Sequence, residues 1–237
     1  MPRRSPADWT STHLNTPLAD AWCAIGVYIA NNQDVAKSET TTPDVQVVRE
    51  DDPRCAELEA AGYRVVGESW GARLRLSEPP DLSVMRGAVV RAEAAGIALR
   101  ELGPDFSGEL FSLEYQNHAD YPCAPATAHE LRDADMIRGL WDGNRIFGAI
   151  NGDLLVAATV VSQSADRGET RFTSVLRAYR SRGIGKAVKA ASILALVEDG
   201  VRLFGTGGAA VNEASLEANR ALGYAIEERW RSYQREN

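Results

Sequence analysis

The chain has 237 residues, 44% of them apolar and 25% charged, a composition that excludes collagen-like and wholly disordered polymers. Acidic residues outnumber basic ones 33 to 26, and the net charge of -7 argues against a general affinity for nucleic acid or anionic membranes. Three scattered cysteines, Cys23, Cys55 and Cys123, make no disulfide framework and point to a reducing, cytoplasmic setting.

In chain order, residues 17–30 read as a helix. Their apolar decamer, 21–30, has the length of a signal-peptide core, but Asp8 and Asp20 interrupt the charged flank, so a buried helix is expected. A short strand at 45–49, a helix at 53–61 and one or two strands across 63–76 follow. Pro79 and Pro80 then break regular structure and mark a boundary, after which Asp81 can cap a helix ending at Gly96. The second half opens with a strand at 97–102 and helices at 106–117 and 127–140. Strands at 145–150 and 154–161 flank Asn151-Gly152, a hairpin signal because both residues tolerate positive φ. A strand at 170–176, a helix at 183–199, a strand at 201–205, a helix at 212–222 and a strand from Ala225 complete the pattern. Ile184, Val188, Ala191, Leu194 and Val197 lie at helical spacing on one face.

A faint repeat links the halves. Residues 45–48, a helix, Gly62-Tyr63 and Trp70 echo 201–204, a helix, Gly223-Tyr224 and Trp230. The expected organisation is an incomplete α/β unit over 1–80, a linker helix over 81–96, and a main α/β domain over 97–237.

Three motifs compete for the chemistry. Gly67-Glu68-Ser69-Trp70-Gly71 matches the nucleophile elbow of serine hydrolases, with His118 or His129 as base, but the strand-like 72–76 run and the two prolines leave no room for the helix an elbow requires. Gly205-Thr206-Gly207-Gly208-Ala209-Ala210 imitates a dinucleotide fingerprint, with Glu227 or Glu228 for the ribose, yet too little chain follows to complete such a fold; a flexible loop is expected there. The third run, Arg180-Ser181-Arg182-Gly183-Ile184-Gly185, lies between a strand and a long helix. Glycine allows close approach of the backbone, the free amides of the first helical turn attract anions, and Arg180, Arg182, Lys186 and Lys189 add positive charge. A pyrophosphate suits such a turn. His118, Cys123 and His129 lack a fourth ligand for zinc, and no metal is expected.

The run from Val175 to Gly185 resembles the acyl-coenzyme A signature of the GNAT acetyltransferase superfamily, Q/R-x-x-G-x-G/A, and Asn212 followed by Leu222-Gly223-Tyr224 resembles its second motif. The likeness covers about residues 97–230, and residues 1–80 resemble a degenerate, truncated copy. It implies a mixed, mostly antiparallel α/β sheet flanked by helices, with the N-terminal partial repeat packed on it, and an N-acyltransferase that moves an acetyl group from acetyl-CoA to a primary amine of a small molecule. By the same resemblance the backbone of Val175 and Arg177 would hold the pantetheine arm and the thioester carbonyl. Arg180, Arg182, Gly183, Ile184, Gly185 and Lys186 would bind the pyrophosphate, and Asn212 would contact the cofactor arm. Glu169 would be the general base. Asn219 stands where many relatives carry a tyrosine that protonates the departing thiolate, and asparagine is a poor acid. The alternatives are a non-catalytic acyl-CoA-binding relative and, more remotely, a hydrolase using Ser69. A small-molecule amine is the expected partner, without nucleic acid or membrane; homodimerisation is left open.

Overall fold

The computed structural model describes residues 45–122, 124–129 and 132–235. The expected helix at 17–30, together with Cys23 and Cys123, lies outside them.

One mixed sheet organises the described chain. Its strands are β1 (Val45–Arg49), β2 (Tyr63–Arg75), β3 (Ala98–Leu102), β4 (Asn144–Asn151), β5 (Leu154–Ser164), β6 (Arg167–Val175), β7 (Leu203–Ala209) and β8 (Ala225–Arg235). Their order is β1-β8-β2-β7-β6-β5-β4-β3, antiparallel throughout except where β6 and β7 run side by side. The helices are α1 (Arg54–Ala60), α2 (Ser83–Ala94), α3 (Ser107–Asn117), α4 (Ala134–Arg138), α5 (Ile184–Glu198) and α6 (Glu213–Arg220). Helices α2 and α5 pack on each other, α5 also covers β4, β5 and β6, and α3 lies against β5 and β6. The core is a single large cluster that runs from Trp70 and Leu74 through Ile146, Val156 and Val160 to Ile193, Leu196 and Leu222. A small separate cluster of Val48, Cys55 and Tyr233 sits under α1.

The α/β class, the mostly antiparallel sheet and its flanking helices agree with the sequence reading, and three local details differ. The helix expected over 127–140 is only the short α4, whose N-cap Asp133 accepts the Met136 amide, bracketed by 3-10 turns at Pro125–Thr127 and Gly139–Trp141. The β4–β5 turn is Gly152-Asp153, with Asn151 still paired to Leu154 and only Gly152 at positive φ. On α5, Lys189, Ala190, Ile193 and Leu196 are buried, so the helix faces protein over a wider arc than the one stripe expected.

The largest difference concerns Gly205 to Ala209, expected as a loop. This run is the body of β7, paired with β2 from Arg75↔Leu203 to Ser69↔Ala209. The glycines there serve close approach: a Cβ on Gly208 would stand 2.9 Å from the Trp70 ring, and one on Gly205 would overlap the Glu169 carboxylate. A dinucleotide turn is thereby ruled out, because the glycines lie within a paired strand. The same pairing disposes of the hydrolase reading. Ser69 is a buried mid-strand residue held between Ala209 and Trp230, and no strained turn presents its hydroxyl to a substrate.

The N-terminal segment enters the sheet itself. β2 lies between β7 and β8, while β8 lies between β1 and β2. Two strand-helix-strand units, β1-α1-β2 and β7-α6-β8, thus interlock symmetrically, each placing its second strand inside the other. The boundary expected at Pro79-Pro80 is where the chain leaves this shared sheet for α2.

Candidate active site

Strands β6 and β7 pair in parallel only from Arg167↔Leu203 to Glu169↔Gly205. Beyond that point they part. β6 continues to Val175 along β5, whereas β7 follows β2, and a cleft of about 730 Å³ opens between them toward the start of α5. The register of β6 against β5 slips between Val160 and Val161, so a bulge sits just where the two parallel strands separate and bends β6 outward.

Backbone groups in this cleft follow from the ladder. Leu176 N–H donates to Val156 O at 2.9 Å. In an antiparallel pair the bonding direction alternates, so the N–H and C=O of Val175 turn away from β5 into the cleft. Its carbonyl is met there by Arg180 Nε at 2.9 Å. The same guanidinium donates to Asn117 Oδ1 at 2.9 Å and pairs with Asp120 at 2.8 Å, and Asn117 Nδ2 in turn donates to Ser174 Oγ at 2.8 Å. Arg180 therefore ties the end of β6 to α3, and its charge is largely answered by Asp120.

At the far end of the cleft, Gly183 precedes α5 with φ 76° and ψ 4°, and Ser181 before it has φ 61°. A side chain at Gly183 would strain this left-handed geometry. The first intrahelical bond is Ala187 N to Gly183 O at 2.9 Å, which leaves the amides of Ile184, Gly185 and Lys186 without helical acceptors. A Cβ on Gly185 would stand 3.1 Å from Val175 Cγ2, so the helix start is pressed against the strand end. The first turn holds no acidic residue. Anion-attracting amides and the exposed backbone of Val175 thus share one cleft. Arg182 is exposed, with its guanidinium 5.4 Å from the Tyr179 ring centroid, and Arg177 belongs to the short 3-10 turn Arg177–Tyr179.

Glu169 occupies the last paired position before the strands part, its carboxylate lying over Gly205. Burial pushes its carboxyl above the usual range, against the pull of Arg73 and Arg167, and Oε2 has no hydrogen-bond partner. Lys189, counted from sequence among the phosphate-facing charges, points elsewhere. It is buried, and its Nζ donates to Thr206 Oγ1 at 3.0 Å and to Asn219 Oδ1 at 2.5 Å, with the Tyr224 ring centroid 5.3 Å away. Burial lowers the ammonium to about 7, with Glu169 pulling the other way.

Asn219 has both ends of its amide engaged, since Nδ2 donates to Ser215 O at 2.8 Å while Oδ1 accepts Lys189. Asn212 is the N-cap of α6, where its Oδ1 accepts Ser215 N–H at 3.1 Å; both asparagines line the cleft. Val175 along β6 and Gly183 to Lys186 at the helix start therefore line one cleft, and Glu169 lies at the fork next to Thr170, where that lining begins. Sequence reasoning did not find Asn117, Asp120 and Thr206, whose roles depend on strands and helices distant in the chain. The one available signal was for Lys189, a lysine interrupting the apolar face of a helix.

His129 is held by Glu114, Nε2 to Oε2 2.6 Å, and stacks on Tyr121 at 3.8 Å. Among the described residues no cluster of three or more His, Cys, Asp or Glu side chains could hold a metal ion, and no helix is long and apolar enough to cross a membrane.

No protein-family model matches this sequence, and no curated protein matches it. Solved structures do. A GCN5-related N-acetyltransferase from Sphaerobacter thermophilus superposes with a TM-score of 0.61 at 19% identity over 89% of this chain. A tandem GNAT protein from the clavulanic acid biosynthesis pathway gives 0.56 at 20% identity over 89% of this chain and 67% of its own. A GCN5-related N-acetyltransferase from Kribbella flavida gives 0.53 at 15%, over 81% of this chain and 68% of its own. The present chain spans 65% of the Sphaerobacter protein's length. The fold is that of the GCN5-related N-acetyltransferases.

Proposed function

We propose that the protein is an N-acyltransferase that transfers an acetyl group from acetyl-CoA to a primary amine of a small molecule by direct attack in a ternary complex. The observation that carries this reading is the parting of β6 from β7 beyond Glu169↔Gly205, which opens a cleft leading to the free amides at the start of α5.

In this scheme the amides of Ile184, Gly185 and Lys186, with Gly183 making the turn, receive the pyrophosphate, and Lys186 and Arg182 add charge near it. The pantetheine arm lies along β6, where the Val175 N–H donates to it in place of β7, which has parted from β6 by then. Arg177 supports the turn that follows. Arg180 acts by holding β6 to α3, and its phosphate role is secondary to its pairing with Asp120. Asn212 shapes the loop by capping α6. Glu169, a stronger base than an exposed carboxylate because burial pushes its carboxyl up, takes the proton that the amine loses as it attacks. The soluble amine as partner and a cytoplasmic setting belong to the same proposal.

A binding module without turnover is the second reading, favoured by the engagement of both ends of the Asn219 amide. Thiol release from acetyl-CoA with a panel of amines separates the two. For the shared premise, acetyl-CoA should raise the melting temperature, because a ligand bound only by the native state stabilises it by mass action. Gly183→Asp should abolish the rise by placing a carboxylate where phosphate must sit. An unchanged rise in that variant would remove the site from α5.

A further inference from the structure

A buried lysine needs a reason. Ionised amines are costly to remove from water, and Lys189 is 5% exposed in the middle of a helix that is otherwise apolar on that side. Leucine or methionine there would pack without the penalty. What the lysine has instead is a set of acceptors drawn from distant parts of the chain. Thr206 comes from β7, one residue beyond the fork at Gly205, and Asn219 comes from α6. Asn219 spends its other end on Ser215, so its oxygen can only face the lysine. The ring of Tyr224 closes a further side. All of Lys189, Thr206 and Asn219 line the cleft that also exposes Val175.

Resting on the acyltransferase reading above, we infer that Lys189 is the catalytic acid of this site: steered by Asn219 and Thr206, its ammonium delivers a proton to the coenzyme A sulfur as the thioester breaks. The balance is complete between the cleft and the fork beside it. The amine nitrogen forms a bond to the acetyl carbon, the C–S bond breaks with its electron pair going to sulfur, and Lys189 Nζ gives one proton to that sulfur. The proton lost by the amine passes to Glu169. The site is left with a neutral lysine and a neutral carboxylic acid, and proton transfer from Glu169 to Lys189 restores both. The groups facing Lys189 are Glu169 of β6, Thr206 of β7, Asn219 of α6 and Tyr224 beyond it. Glu169 is the one that favours the ammonium, and burial opposes it, leaving an amine that changes charge near neutrality as a proton shuttle requires. Asn219 occupies a place where its own amide can protonate nothing; its work is to position the residue that can.

The thiol of bound coenzyme A tests this without any acceptor. Within reach of each other the thiolate and the ammonium stabilise one another, so the pair titrates together and the bound thiol should ionise at lower pH than the free cofactor, read as thiolate absorbance in the ultraviolet against pH on the intact protein. Lys189→Met should remove the effect while calorimetry still detects coenzyme A binding. Asn219→Ala, which keeps the lysine but deletes its 2.5 Å acceptor, should give an intermediate value, and it provides the comparison should Lys189→Met fail to fold. A bound thiol that titrates like the free one in the wild type, or equally in wild type and variants, overturns the inference while leaving the acyltransferase reading intact. Coenzyme A that does not bind the wild type at all overturns the acyltransferase reading first.

Discussion

The units β1-α1-β2 and β7-α6-β8 share an element order, a left-handed glycine after the helix (Gly62 with φ 85°, Gly223 with φ 92°) and a tyrosine directly after it. Their surroundings differ. Tyr63 is partly exposed beside Arg235, whereas Tyr224 is buried beneath Lys189. Helix α1 follows Pro53, whose side chain makes no cap, whereas α6 is capped by Asn212 inside the cleft. The decisive contrast lies in the neighbours. β7 has a parallel companion, β6, that leaves it after three paired residues, and among the described residues β1 has only β8. The cleft therefore belongs to the fork beside the second unit, which lends it Thr206, Asn212 and Asn219, whereas no described residue of the first unit lines it.

The severest way to break the comparison is to remove one unit. Deleting residues 1–80 takes β2 from between β7 and β8 and with it Trp70, Ala72 and Leu74 from the main core. Burying one tryptophan alone removes roughly 200 Å² from water, about 5 kcal/mol, so the fragment should fail to give a soluble, folded monomer by gel filtration and circular dichroism. A soluble, active fragment would mean that β7 and β8 can pair directly and that the interlocking is dispensable.

Substitution at the fork is the next largest effect. Glu169→Gln should lower turnover by about 10²-fold to 10⁴-fold with little change in acetyl-CoA affinity, and the deficit should narrow at high pH, where more of the amine is already neutral. Turnover within a few-fold of wild type would reduce Glu169 to a structural carboxylate packed over Gly205.

Lys189 sharpens the contrast through stability. Its folded pKa is about 7 against an ordinary 10.5. Between those values the unfolded chain binds more protons than the native one, so this group's contribution to stability rises with pH from about 7 to 10.5 and is most unfavourable below 7. Lys189→Met should therefore melt above wild type, by a margin widest at pH 6 to 7 and shrinking toward pH 10. A margin that does not vary with pH would show that the lysine is not desolvated.

The smallest effect separates the two helix starts. Asn212→Ala should cost about 1 kcal/mol in chemical denaturation through loss of the cap on α6, and it should also weaken acetyl-CoA binding, since the capped loop lines the cleft. Pro53→Ala just before α1, where there is no side-chain cap to lose, should leave binding unchanged.

What the sequence by itself determined is local. Helical periodicity, prolines, caps and glycines located most elements within a few residues, and the run from Arg180 to Gly185 announced a glycine turn into a long helix, because a left-handed glycine and a free helix start need only neighbouring residues. The repeat was visible for the same reason, each copy being a short contiguous unit. Tertiary structure decided the rest. Gly205 to Ala209 reads as a loop until Trp70 and Glu169 are seen to need the space above its glycines, and Ser69, already without the helix an elbow needs, gains its strand neighbours Ala209 and Trp230 only in the folded sheet. Lys189 looks like one more surface charge until Thr206 and Asn219, 17 and 30 residues away, close on its amine. Strand pairing and burial join residues far apart in the chain, and no periodicity within either segment records which partner it will meet.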